Sequence, residues 1–153
     1  MRKKAAMLLG LALAASVATG CSAEELYAEV SAEVEAYNAA VATYNEQVAR
    51  YNEAVDSVKE ENKLVVTELG NAQKVVNSDG EPYDGATLLD LKNAMAELES
   101  AKVDDPVSLK EESAIEVNAE MSRDELEQVE EDAMERSAQL DGKAIPDPPL
   151  MPD

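Results

Sequence analysis

Apolar residues recur along the first half of the chain in alternating steps of three and four. The stripe runs through Tyr27, Val30, Val34, Tyr37, Val41, Tyr44, Val48, Tyr51, Val55 and Val58. After one polar step at Asn62 it continues through Val65, Leu69, Ala72 and Val76. Such spacing places every member on one side of an α-helix, and about seven heptads exceed the three or four that mark a coiled-coil-like seam. No Gly or Pro lies between Cys21 and Leu69. The pattern therefore predicts one helix over about 23–76, roughly 80 Å long at 1.5 Å per residue.

Within this stretch the dipeptide Tyr-Asn repeats at Tyr37-Asn38, Tyr44-Asn45 and Tyr51-Asn52, seven residues apart each time. The expected seam is Val34, Tyr37, Val41, Tyr44, Val48, Tyr51, Val55 and Asn62. Two partners fit it. Valine at one seam position and a seam asparagine suit a two-stranded homo-oligomer. Tyrosine at the other position needs an outlet for its hydroxyl, which favours a seam covered by later helices of the same chain.

Downstream the pattern shortens. Asn77-Ser78-Asp79-Gly80-Glu81-Pro82 and Asp84-Gly85 are dense in turn formers and close the long helix. With either Gly80 or Gly85 in the glycine slot of a calcium loop, the ligand positions lack the required acids, so the segment reads as a turn. Thr87 with Asp90 reads as a cap, and Leu88, Leu91, Met95 and Leu98 form a stripe through a helix over about 87–102. Asp104-Asp105-Pro106 breaks it. Ser108 with Glu111 and Ser122 with Glu125 match the capping-box pattern, which predicts helices over about 109–118 and 123–140, or one kinked helix through both. In the last helix Leu126, Val129, Ala133 and Leu140 share a face, and Gly142 lies where a helix stops. Residues 143–153 hold four prolines and read as an extended tail. A proline-rich docking peptide is the other reading of that tail.

Composition narrows the architecture. The 153 residues include five Tyr but no Phe, Trp or His. Ala, Val, Leu and Glu remain, which suits helices packed along narrow seams better than a bulky core. The net charge is −20, and from Glu97 to Arg136 there are 15 acidic residues against 4 basic ones. Such a chain repels nucleic acid and anionic headgroups, so an electrostatic partner would be cationic.

The N-terminus carries a different signal. Met1-Arg-Lys-Lys precedes an apolar run from Ala5 to Val17 and then Ala18-Thr19-Gly20-Cys21-Ser22. A basic start, a short apolar stretch and small residues read as a targeting segment over residues 1–20. Ending on the only cysteine, it resembles a bacterial lipoprotein signal. That resemblance implies a diacylated Cys21, bearing palmitate-type chains, as the first mature residue. Ala18 departs from the leucine usual there. An ordinary secretory signal also fits Ala18 and Gly20. An uncleaved anchor needs roughly 20 apolar residues, more than this run supplies. A lone cysteine forms no internal disulfide, and acylation accounts for it. Cleavage would remove Arg2, Lys3 and Lys4 and leave the remainder three units more negative.

Cys21-Ser22 running straight into heptads is similar to the small helical envelope lipoproteins, among them the type that tethers peptidoglycan. The likeness covers the signal and first helix only. The sequence closes on Pro152-Asp153 instead of that family's cross-linking lysine, so covalent tethering is not implied. A weaker, compositional likeness links the tyrosine heptads to alanine-rich helical stalks of surface proteins.

For chemistry the residues supply little. There is no His, no Gly-rich phosphate cradle and no glycine-framed serine nucleophile, so the sequence offers no catalytic or metal-ligating set. Glu127 with Glu130 or Glu131 shares a helical face and could chelate a hard cation weakly. The expected protein is all-α: a signal peptide over 1–20, an elongated helical domain over 21–142 with two or three shorter helices folded back on the long one, and a tail over 143–153. It is expected to be non-enzymatic and to need no cofactor. Its expected place is the extracytoplasmic face of the cell membrane, or an outer membrane, where it acts as a spacer or a module for a protein partner. The alternatives are a homo-oligomeric envelope stalk and an acidic, cation-binding accessory subunit of a membrane complex.

Overall fold

The computed structural model describes residues 22–78 and 85–150. Cys21, the signal over 1–20 and the last three residues of the tail lie outside the described residues. The architecture is all-helical, with one long helix and two shorter ones packed on it.

Helix α1 spans Ala23–Val76, 54 residues. A capping box starts it: the Glu25 amide donates to Ser22 Oγ at 3.3 Å, and the Ser22 amide donates to Glu25 Oε2 at 2.9 Å. Glu24 and Glu25 in the first turn and Lys74 in the last complement the helix dipole. Helix α2, Gly85–Ala101, folds back on the far end of α1. Its stripe of Leu88, Leu91, Met95 and Leu98 is half-buried, as the spacing predicts. Helix α3, Arg123–Asp141, opens on a second capping box made by Ser122 and Glu125 and ends against Gly142. Glu130 lies close to Glu33, Arg136 to Tyr37 and Lys143 to Tyr44, so α3 runs parallel to the first half of α1.

The expected helix over 109–118 does not form, and neither does a single kinked helix through 109–140. Residues 102–118 instead make an extended strap laid antiparallel along α1. A Ser-x-x-Glu pair stabilises a helix start only if the amides behind it need helical partners. Here those amides are bound elsewhere. Leu109 and Ile115 are also six residues apart, on different sides of any helix.

The main core joins Leu26, Val30, Val34, Tyr37 and Val41 of α1 to Ile115 of the strap and to Leu126 and Ala133 of α3. Val48, Val55 and Val58 are buried further along α1, at the level of the strap. Up to Val58 the valine stripe is thus covered within one chain. Replacing Val48, which is 0 % exposed, with Asp should cost several kcal/mol, because a carboxylate would be buried without a partner. Glu46→Gln removes only an exposed ion pair with Arg50 and should change stability by no more than about 0.5 kcal/mol. Chemical denaturation of the two variants checks the contrast.

Candidate functional site: an asparagine ladder on the long helix

The strap is held by side-chain amides. An asparagine carboxamide presents one N–H face and one C=O, the same pair that a peptide unit presents. Asn38 Nδ2 donates to the Ile115 carbonyl at 2.9 Å, and the Ile115 amide donates back to Asn38 Oδ1 at 2.8 Å. Asn45 makes the same pair of bonds with Glu112, both at 2.8 Å. Asn52 makes it with Leu109, at 2.9 and 2.8 Å. Each step of seven on α1 matches a step of three on the strap. Seven helical residues rise about 10.5 Å, and three extended residues cover about 9–10 Å, so the two periods stay in phase.

Continuing the ladder would pair position 59 with position 106. Position 59 is Lys59 and position 106 is Pro106, whose nitrogen has no hydrogen to donate. The rung is missing where the strap cannot supply its donor. A fourth asparagine, Asn62, then takes over out of phase. Its Nδ2 donates to the Val103 carbonyl at 2.8 Å and to Asp105 Oδ1 at 2.7 Å, while its Oδ1 accepts from the Val103 amide at 3.3 Å. This satisfies a side chain only 4 % exposed.

Cations close the other side. Tyr37, 1 % exposed, donates its hydroxyl to the Ser113 carbonyl at 3.3 Å. Arg136 donates to Ser113 Oγ at 3.3 Å and to Asp132 at 2.9 Å. Lys143 pairs with Glu112 and sits 6.0 Å from the centre of the Tyr44 ring. The bond to Glu112 raises the Lys143 pKa above its ordinary value, with partial desolvation opposing it. Glu112 is therefore gripped through its backbone by Asn45 and through its carboxylate by Lys143.

The sequence-derived seam residues fall into two groups. Val34, Tyr37, Val41, Val48 and Val55 are buried, while Tyr44 and Tyr51 are half-buried. Asn62 is buried, but it acts on the strap within the same chain. Asn38, Asn45 and Asn52 are the residues that the seam reading leaves out. Their signal is the strict Tyr-Asn repeat itself, which sets three asparagines seven residues apart beside the apolar stripe. On the strap the matching signal is a period of three: Val103, Pro106, Leu109, Glu112 and Ile115 are covered, and the residues between them are exposed.

The paired acids of α3 do not converge. Glu127 pairs with Arg123 at 2.9 Å, and Glu130 instead faces Glu33. Among the described residues no group of three or more His, Cys, Asp or Glu side chains is placed to hold a metal ion. Nor is any described helix long and apolar enough to cross a membrane. Glu33 Oε2 is buried without a hydrogen-bond partner among the described residues. Desolvation raises its pKa, and the neighbouring charges of Glu130 and Glu29 raise it further. The ladder offers no reacting group. What it does is recognise main chain, whatever side chains that main chain carries.

Compared with protein families, curated proteins and solved structures, the chain gives no match.

Asn45→Asp keeps the shape of the rung but turns a donor into a carboxylate oxygen facing the Glu112 carbonyl. It should cost about 2–3 kcal/mol, against about 1–2 for Asn45→Ala. Hydrogen exchange should show the Glu112 amide losing protection first in Asn45→Ala, whereas Asn45→Asp, which keeps the acceptor oxygen, exposes it only as the strap detaches.

A carboxyl whose pKa is raised on folding binds its proton more readily in the native chain than in the unfolded one. Glu33 thus adds stability below its unfolded value, and that contribution is lost as pH rises through the folded value. Glu125, lowered by its hydrogen bonds from Ser122, works in the opposite sense, losing its contribution as pH falls through its folded value. Glu33→Gln should melt higher than the parent at about pH 7, with the gap narrowing as pH falls towards the ordinary carboxyl value of 4.5. Circular-dichroism melts across that range measure it.

Proposed function

We propose that this protein is a non-enzymatic, lipid-anchored spacer of the cell envelope, held to the extracytoplasmic face of a membrane through Cys21. The observation that carries the reading is the Ser22 capping box. It places the N-cap of a 54-residue helix at the residue after Cys21, with no linker between. A rod of roughly 80 Å would then rise directly from the acyl chains, stiffened by the strap and α3. Its acidic sides would keep it clear of anionic headgroups, and the α1–α2 hairpin would be its outer end. The lack of His and the placing of the only Cys at the signal support a role without catalysis.

The stalk reading, in which tyrosines pack between chains, gains nothing from the structure, because Tyr37 is covered by its own strap. Metabolic labelling with a fatty-acid analogue and membrane fractionation test the anchor. Two acyl chains, at about 0.8 kcal/mol per buried methylene, hold a protein firmly on a bilayer. Cys21→Ser should abolish labelling and shift the protein to soluble or unprocessed forms. Unchanged labelling and fractionation of that variant would overturn the anchor and the spacer built on it.

A further inference from the structure

The third layer of the fold stops at Asn62. Up to that level the α1 stripe is covered by the strap and α3, and Val30, Val48 and Val55 are 0 % exposed. Beyond it the same stripe continues as Val65, Leu69, Ala72 and Val76, with α2 as its neighbour. None of these four is buried, and α2 contains no buried residue. Two helices alone leave each stripe half in water. On the flanks Leu64 is 63 % exposed, Val66 53 %, Val75 57 % and Leu89 57 %.

Charge separates this end from the rest. The helical stretches Asn62–Val76 and Gly85–Ala101 hold Lys63, Lys74 and Lys92 against Glu68, Asp90, Glu97 and Glu99. The other described residues hold 25 acids against 7 bases. Three further acids, Asp79, Glu81 and Asp84, lie in the connection between α1 and α2. Stems this acidic repel one another along their length, and the helical faces of the hairpin, with 3 bases against 4 acids outside the connection, are where two chains can approach most closely.

We infer that the α1–α2 hairpin is a self-association surface on which a second copy of this chain seats its own hairpin. Four helices then close around the apolar stripes, which is how amphipathic helical hairpins complete a core. The surface has little net charge with which to select a foreign partner, whereas a second copy brings the same two stripes at the same length. Repulsion between stems, and between the acidic connections of the two hairpins, sets the geometry: the contact is helix face to helix face, isologous, with the stems diverging. Added salt strengthens it by screening that repulsion. The inference does not depend on the lipid anchor.

The test uses the full chain carrying Cys21→Ser, so that acylation plays no part. Sedimentation equilibrium should give a mass that rises with concentration towards two chains, and rises further with salt. In the same background, Leu89→Cys should form a disulfide-linked dimer on mild oxidation, and Ala42→Cys, on the exposed stem, should not. Leu64→Lys with Leu89→Lys should weaken association at least tenfold without loss of helix content. A single-chain mass at every concentration overturns the inference. So does equal cross-linking at positions 42 and 89, which would place the contact on the stem or the signal. If the double lysine variant loses helix, dilution of the parent and the cysteine pair still decide the matter.

Discussion

Most of this structure depends on one recurring interaction, the pairing of an asparagine carboxamide with both main-chain groups of a single strap residue. An extended segment laid on a helix has no ladder of its own, since the helix has already spent its backbone bonds on itself. Asn38, Asn45, Asn52 and Asn62 return those groups to the helix surface as side chains. The strap then pairs the amides and carbonyls of Val103, Leu109, Glu112 and Ile115 against α1 and covers the valine stripe up to Val58 while doing so. Remove the carboxamides, and the inward main-chain groups of Val103, Leu109, Glu112 and Ile115 would lose their partners in partly buried positions.

The core is correspondingly thin. It is largely one residue deep on α1, closed by Ile115 from the strap and by Leu126 and Ala133 from α3. With no Phe or Trp to thicken it, shape is maintained by polar bonds in phase with apolar contacts. Arg136 and Lys143 belong to the same scheme. They are seven residues apart on one side of the strap, as Tyr37 and Tyr44 are on the other, so the strap is bound from two directions at the same height.

Legibility in the sequence followed the physics of each element. The long helix, the stripe of α2 and the capped start of α3 were readable because their signals are local: a period, a serine, a glutamate three residues on. The strap was not. Ser108 with Glu111 carries the same local mark as Ser122 with Glu125, and only tertiary bonding at Leu109, Glu112 and Ile115 separates them. The Tyr-Asn repeat was visible, yet its asparagines had no readable partner, because they bind main chain, which every residue possesses. Cys21 stands apart: its meaning comes from the segment before it and from a resemblance, and the fold adds only that the N-cap of a helix, Ser22, follows it directly.

The Lys59–Pro106 gap shows what kind of constraint such a ladder places on descent with change. Because the asparagines grip backbone, the outward side chains of the strap, such as Val107, Lys110 and Glu111, are free to drift with little effect on docking. Spacing is another matter. One residue inserted between Leu109 and Glu112 would turn every later donor away from its carboxamide, and no single substitution on α1 would restore the phase. The proline at 106 is tolerated because the helix places no asparagine opposite it. Over time such a segment should vary freely in spelling and hardly at all in length.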